Sequence, residues 1–259
     1  ANRTTPGYVD RMVDNKPVPI QHGQPVNAGF IYTSHVRSLE WDPRRKLIVG
    51  VDQGLFAAAV CLQRDWDGAI RSLAECVNTT RDEKGKVQLL KVGPTAFGKK
   101  LKRTLTEKFP GITDDMIRIV ADPAAFAAKD RVDNEHDWLL AFQKALGLPV
   151  HKAKSNSAGL RNQAIWDAQG QIGGYAIDPG CRHLIKGHSG GYRYAKAEAS
   201  TGEIKSSPDI ADTIYTHVCD AEQYAALEGE HVIADLRGRD RRRRPVTVKS
   251  DFNEHEGVG

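Results

Sequence analysis

The chain has 259 residues, 40% of them hydrophobic and 27% charged, with a formal net charge of +4. That is enough for one sizeable core with appendages, at a composition ordinary for a soluble globular protein. The longest apolar run, Leu55 to Leu62, is far too short to cross a bilayer, and the first residues, Ala1 to Pro6, hold no signal-peptide hydrophobic core.

Residues 1–40 are rich in Pro, Gly, Asn and Gln and show little periodicity. They read as a linker or extended arm, with Gly29-Phe30-Ile31-Tyr32 as an apolar patch that could dock it. The first residue is not Met, which fits a fragment of a longer chain. Lys46 to Val51 reads as a buried strand, Leu55 to Gln63 as a second and Ala69 to Thr79 as a third. Gln53-Gly54 and Asp65-Trp66-Asp67-Gly68 mark the turns of an antiparallel meander. Pro94 to Phe109 has apolar residues at positions 97, 101 and 105, the period of a helix with one buried stripe. Met116 to Ala121 is a short strand ending at Asp122, which Pro123 keeps extended. Glu135 to Leu146 reads as a helix, Pro149 to His151 as a strand and Gly159 to Gln169 as a helix. Arg182 to Lys196 looks like a hairpin turning at Gly187 to Gly191. Asp209 to Leu227 is the last helix, with Gly229 where a capping glycine would stand. Strands followed by alternating helices and strands predict an α/β fold, a mixed sheet with helices on its faces.

Three acids stand at costly places. Asp52 ends the first strand and Asp122 ends Met116 to Ala121. Asp220 sits in mid-helix near the apolar edge, where its side chain competes for the backbone. A carboxylate at the end of a buried strand needs a partner, and hard divalent cations prefer carboxylate oxygens. If the first and fourth strands are neighbours, Asp52 and Asp122 meet, and a helix packed across them adds Asp220. Three converging carboxylates repel unless cations neutralise them. Such a cluster suits two divalent cations, Mg²⁺ or Mn²⁺, about 3.5–4 Å apart, one activating water and one stabilising the leaving oxygen of a phosphodiester.

Charge is unevenly spread. Arg237 to Arg244 carries six Arg and one Asp. Lys152 to Lys196 holds Lys152, Lys154, Arg161, Arg182, Lys186, Arg193 and Lys196 against only Asp167 and Asp178. Basicity confined to two segments suggests a polyanion-facing side, with an ordinary solvated face as the alternative. The cysteines, Cys61, Cys76, Cys181 and Cys219, form no C-x-x-C pair, which argues against a zinc knuckle and fits a reducing cytoplasm.

Several motifs together resemble one family. They are Gly50-Val51-Asp52-Gln53-Gly54, Ala121-Asp122-Pro123-Ala124-Ala125 and Thr216-His217 followed by Asp220-Ala221 and Tyr224-Ala225. Lys154-Ser155-Asn156 with Arg161, Ile177-Asp178-Pro179-Gly180-Cys181 and Gly190-Gly191-Tyr192-Arg193-Tyr194 match as well. Their order resembles the nuclease domain of the large terminase subunit of tailed bacteriophages, from about Tyr32 to Leu227. The resemblance implies a ribonuclease H-like fold and an endonuclease dependent on Mg²⁺ or Mn²⁺ that cuts double-stranded concatemeric viral DNA during packaging. Asp52, Asp122 and Asp220 would be its metal-binding and catalytic acids. The implied domains are an arm at 1–40, the nuclease at 41–232 and a basic, disordered tail at 233–259. Implied partners are DNA, an ATPase motor domain of the same protein, the portal and the small terminase subunit. The implied location is the host cytoplasm, transiently at the procapsid, with no membrane contact. No Walker A loop is present, so the chain would be the nuclease half alone. One departure is Glu222, where the family often has Leu, which touches only local packing.

Lesser candidates have competing readings. Lys152, Lys154, Asn156, Arg161, Arg182, Lys186, Arg193 and Lys196 could hold DNA phosphates or form plain surface. Glu75 is a possible fourth ligand or a solvent-facing strand residue. Asp212 is a possible ligand or a helix-cap acid. His217 could orient a phosphate or Asp220, or make a structural hydrogen bond. Asp130 and Asp133 read as solvated. Rival functions are a resolvase- or transposase-type nuclease of the same fold, a non-catalytic DNA-binding module, and an actin-like ATPase. The last needs Ser or Thr after its Asp-x-Gly, where this chain has Leu55-Phe56-Ala57.

Overall fold

A computed structural model describes residues 23–54, 56–126, 138–195 and 209–242, without the side chains of 230–242. Lys196, Asp130 and Asp133 lie outside the described residues. Six strands form the main sheet: β1 (Leu47–Asp52), β2 (Ala58–Arg64), β3 (Ile70–Val77), β6 (Ile117–Ala121), β7 (Val150–Lys152) and β8 (Tyr175–Ile177). Their order is β7-β6-β1-β2-β3-β8. The meander β1-β2-β3 is antiparallel, whereas β6 runs parallel to β1, β7 to β6 and β8 to β3. A separate hairpin, β4 (Thr79–Arg81) with β5 (Val87–Leu89), follows β3.

Alternation along β1 splits the core in two, because successive strand side chains face opposite sides of a sheet. Leu47, Val49 and Val51 pack with Phe97, Leu101 and Leu105 of α2 (Pro94–Lys108) and Phe142 and Leu146 of α3 (Trp138–Leu146). Ile48 faces the opposite layer, with Ala164, Ile165 and Ala168 of α4 (Ala158–Gln169) and Val218, Ala221 and Ala225 of α6 (Thr216–Arg242). The remaining helices are α1 (Tyr32–His35) and α5 (Arg182–Lys186). The Gly29–Tyr32 patch docks as expected: Phe30 is buried beside Val26 in that second layer, while Ile31 and Tyr32 stay exposed.

Three expectations need correction. Arg182 to Lys196 is not a hairpin. It is helix α5 followed by a wide turn, Gly187–Gly191, with Gly190 at φ 104°. The cause is distant: the Glu75 carboxylate of β3 accepts hydrogen bonds from the backbone N–H of His183 and Leu184 and from His183 Nδ1, and so caps α5. Glu75 is therefore neither a solvent-facing residue nor available as a ligand. Gly229 does not end the last helix, which runs on to Arg242 and takes the first ten residues of the expected tail into a helix. A Cβ at Gly229 would meet Arg64 Cγ at 2.8 Å, so the glycine serves packing, not termination. Finally, α6 begins at Thr216, leaving Asp212 exposed ahead of it rather than in its first turn.

Gly50 is what lets α6 lie on β1. A Cβ there would stand 1.9 Å from the Ala221 carbonyl oxygen and 2.8 Å from the Ala225 nitrogen, both backbone atoms that cannot step aside. Gly50→Ala is expected to destabilise the chain by about 1–3 kcal/mol, the usual cost of overpacking. Calorimetry checks it: an unchanged Tm would mean the helix does not rest on this strand.

Candidate active site

Parallel pairing of β1 with β6 sets Val51 opposite Ala121, so Asp52 and Asp122 leave neighbouring strands together at the same end of the sheet. Helix α6, seated on Gly50, adds Asp220 one residue before the closest contact. The expected meeting of the three acids is thus built by one strand pair and one helix. Asp52 is 9% exposed, and its Oδ2 lies 2.6 Å from His217 Nδ1. Asp122 is half-buried, and its Oδ1 accepts the Ala124 N–H at 2.8 Å. Asp220 Oδ1 accepts the Tyr192 hydroxyl at 2.8 Å and faces Arg161 Nη1 at 3.3 Å. The second oxygen of each carboxylate accepts no hydrogen bond from the described residues.

The electrostatics agree with this crowding. Burial pushes the Asp220 carboxyl above the usual carboxylate range; Arg161 opposes that, and Asp52 adds to it. Burial also raises the Tyr192 and Tyr224 hydroxyls, keeping both neutral donors; Asp122, Asp52 and Asp220 all act on Tyr224 in the same direction. The donor set suits a hard divalent cation, which takes carboxylate and amide oxygens. Gln53 Oε1, beside Asp52, is buried and accepts no hydrogen bond among the described residues. Gly54, at φ 131°, leaves open space next to it. Yet no three His, Cys, Asp or Glu side chains among the described residues converge tightly enough to cage an ion. The fit is that of two carboxylates with room for further oxygens, with Asp220 already engaged.

Of the basic candidates, Lys152, Lys154 and Asn156 are exposed just beyond β7, the strand beside β6 and Asp122. Asn156 Oδ1 accepts the Tyr224 hydroxyl at 2.8 Å. Arg161 is not a surface residue. It is 6% exposed, and its guanidinium lies over the Tyr224 ring at 4.5 Å. Arg182 and Lys186 are exposed on α5, after β8. At about 4.8 Å per strand, β8 stands roughly 14 Å from β1. Arg193 is half-buried against the segment at Gly23 and Pro25. His217 bonds to Asp52, not Asp220. Phe56 packs on its ring with centroids 6.0 Å apart.

Sequence reasoning passed over Glu222. It is fully buried and accepts hydrogen bonds from the Ser72 and Tyr175 hydroxyls, each at 2.6 Å, with His188 Nε2 also at 2.6 Å. A Leu here would leave those three groups without a partner, so the departure from the family pattern reaches beyond local packing. The wide turn that holds His188 continues into Tyr192, so one segment grips α6 at Glu222 and at Asp220.

The His217 contact predicts a titration. The hydrogen bond from Asp52 holds the imidazole above its ordinary pKa, more than burial lowers it. Stability from this pair is full below about pH 6.5, the unfolded value, and is lost as pH rises through the folded-state value. NMR titration should place the His217 midpoint above that of a free histidine, and lower in Asp52→Asn. An unchanged midpoint in the variant would remove Asp52 as the cause.

Neither the protein-family models nor the curated sequences contain a match to this chain. Solved structures do. The P22 large terminase nuclease domain superposes with a TM-score of 0.56 at 11% identity, over 83% of this chain and 97% of that one. A large terminase from a thermophilic bacteriophage superposes with a TM-score of 0.55 at 17% identity, over 79% of this chain. The chain spans less than half of that thermophilic phage protein, 45% of its length. The fold is the ribonuclease H-like fold of large-terminase nuclease domains.

Proposed function

We propose that this domain is a metal-dependent endonuclease that cuts double-stranded concatemeric viral DNA during genome packaging. The observation that carries the reading is the meeting of Asp52 and Asp122 at the ends of neighbouring parallel strands, with Asp220 brought in on α6. In open α/β sheets, ligands bind at the carboxyl ends of strands. Asp52 and Asp122 would hold Mg²⁺ or Mn²⁺, with Gln53 Oε1 within the same turn. A divalent cation supplies Lewis acidity at a phosphodiester.

The chain's own residues do the positioning. His217 fixes the Asp52 carboxylate, and Tyr192 and Arg161 fix Asp220. Lys152, Lys154 and Asn156 lie where a DNA backbone would pass to reach Asp122, with Arg182 and Lys186 as a second set of phosphate contacts across the sheet end. Phosphate contacts position a duplex without reading sequence. As the nuclease half of a large terminase, the domain would work with an ATPase motor domain of the same protein, the portal and the small terminase subunit. It would act in the host cytoplasm and transiently at the procapsid. Residues 1–40 would lead from the motor domain, residues 41–232 would form the nuclease, and those beyond 232 would add basic charge.

Plasmid cleavage in Mg²⁺ or Mn²⁺ tests this. Asp52→Asn and Asp122→Asn should each lose more than about a hundredfold in rate, beyond the loss typical of outer-shell partners. The melting temperature should hold or rise as repulsion is relieved. A folded variant that cuts at the parent rate would refute the assignment. Duplex binding should fall with salt at a log–log slope of about −0.9 per phosphate neutralised, with little preference between unrelated sequences. Strong preference for one short sequence would point to a resolvase-type enzyme instead.

A further inference from the structure

Arg161 is the least expected residue of the site. It sits on α4, 6% exposed, with Nη1 3.3 Å from Asp220 Oδ1. Its Nε and Nη1 are buried without an aligned hydrogen bond, so the contact to Asp220 is an ion pair only. Buried donors without acceptors are rare in folded proteins and ask for a reason. The guanidinium is not free to leave: the Tyr224 ring lies under it at 4.5 Å, and Asn156 pins the Tyr224 hydroxyl. Asp220 Oδ1 is further occupied by the Tyr192 hydroxyl.

Charge sets how many cations fit. Three carboxylates bring three negative charges, and Arg161 brings one positive. One divalent cation then makes the empty site neutral, whereas two leave it with two excess positive charges in a low-dielectric crevice, where like charges repel strongly. The carboxylates are not equivalent either. Asp52 and Asp122 leave adjacent strands side by side, while Asp220 already faces a fixed cation.

We propose that Arg161 takes the place of a second divalent cation: it neutralises Asp220 and offers its unpartnered N–H donors to the phosphodiester, so the site loads one ion, at Asp52 and Asp122. This rests on the metal-nuclease reading and replaces the two cations expected from the sequence. A guanidinium suits the task, because its rigid fork matches phosphate oxygens and it stays charged at any working pH.

Counting bound Mn²⁺ on the full chain by electron paramagnetic resonance of the free ion tests it without relying on activity. The parent should bind one Mn²⁺ per chain. Asp122→Asn should weaken that ion by more than about tenfold. Asp220→Asn, checked for folding by circular dichroism, should leave the affinity unchanged. Arg161→Met, which frees Asp220, should raise the count from one to two. Two ions on the parent, loss of the ion in a folded Asp220→Asn chain, or a count still at one in Arg161→Met would each overturn the inference and leave the metal-nuclease reading standing. No Mn²⁺ bound by the folded parent would overturn that reading itself.

Discussion

The close approach of α6 to β1 at Gly50 is the constraint on which the rest depends. Without a side chain at that position, the backbone at Ala221 and Ala225 comes within contact distance of the strand. That contact buries the apolar stripe of α6, and in the same movement it delivers Asp220 to the strand end that carries Asp52. A helix held even one side chain further out would leave Asp220 short of the other acids. Because effects at a reacting centre fall steeply with small displacements, the packing of one glycine sets the chemistry that the site can perform.

The second layer of support is polar. His217 holds Asp52, Tyr192 and Arg161 hold Asp220, and Glu222 is locked by Ser72, Tyr175 and His188. Buried polar groups stabilise a unique arrangement when all partners are present and become costly when one is missing. The groups around Glu222 meet that condition, while Arg161 keeps two donors unpartnered. The incomplete member is thus the one beside the carboxylates, where a ligand can complete it.

Much of this was legible in the residues. The meander β1–β3 showed itself through aliphatic runs separated by Gly and Asp turn signals. Asp52 and Asp122 drew attention because a carboxylate at a buried strand end has no structural use on its own. What stayed hidden depended on distant partners. The segment after Cys181 has the Gly and Tyr pattern of a hairpin, yet Glu75, more than a hundred positions earlier, caps it into a helix. Strands β7 and β8 hold three residues each, too few to show a period, and the β4–β5 hairpin is equally short. Glu222 looked like an exposed helix residue because its hydrogen-bond partners lie on three other elements. Arg161 looked like a surface cation for the same reason: nothing near it in the chain announces Tyr224 or Asp220.

The Glu222 network also bears on how the chain is made. Its members come from β3, β8, the turn after α5 and the final helix, so the carboxylate cannot be buried before nearly all of the domain has been synthesised. Until α6 emerges, the layer of the sheet that contains Ile48, Val60 and Leu62 has no cover. Contacts of such long sequence separation slow folding, because the loop-closure entropy must be met before they form. A ribosome-bound chain stopped short of Thr216 would expose that apolar layer and depend on a chaperone to stay out of aggregates. Completion of the acid cluster and release from that hazard are therefore a single late event, the docking of the last helix.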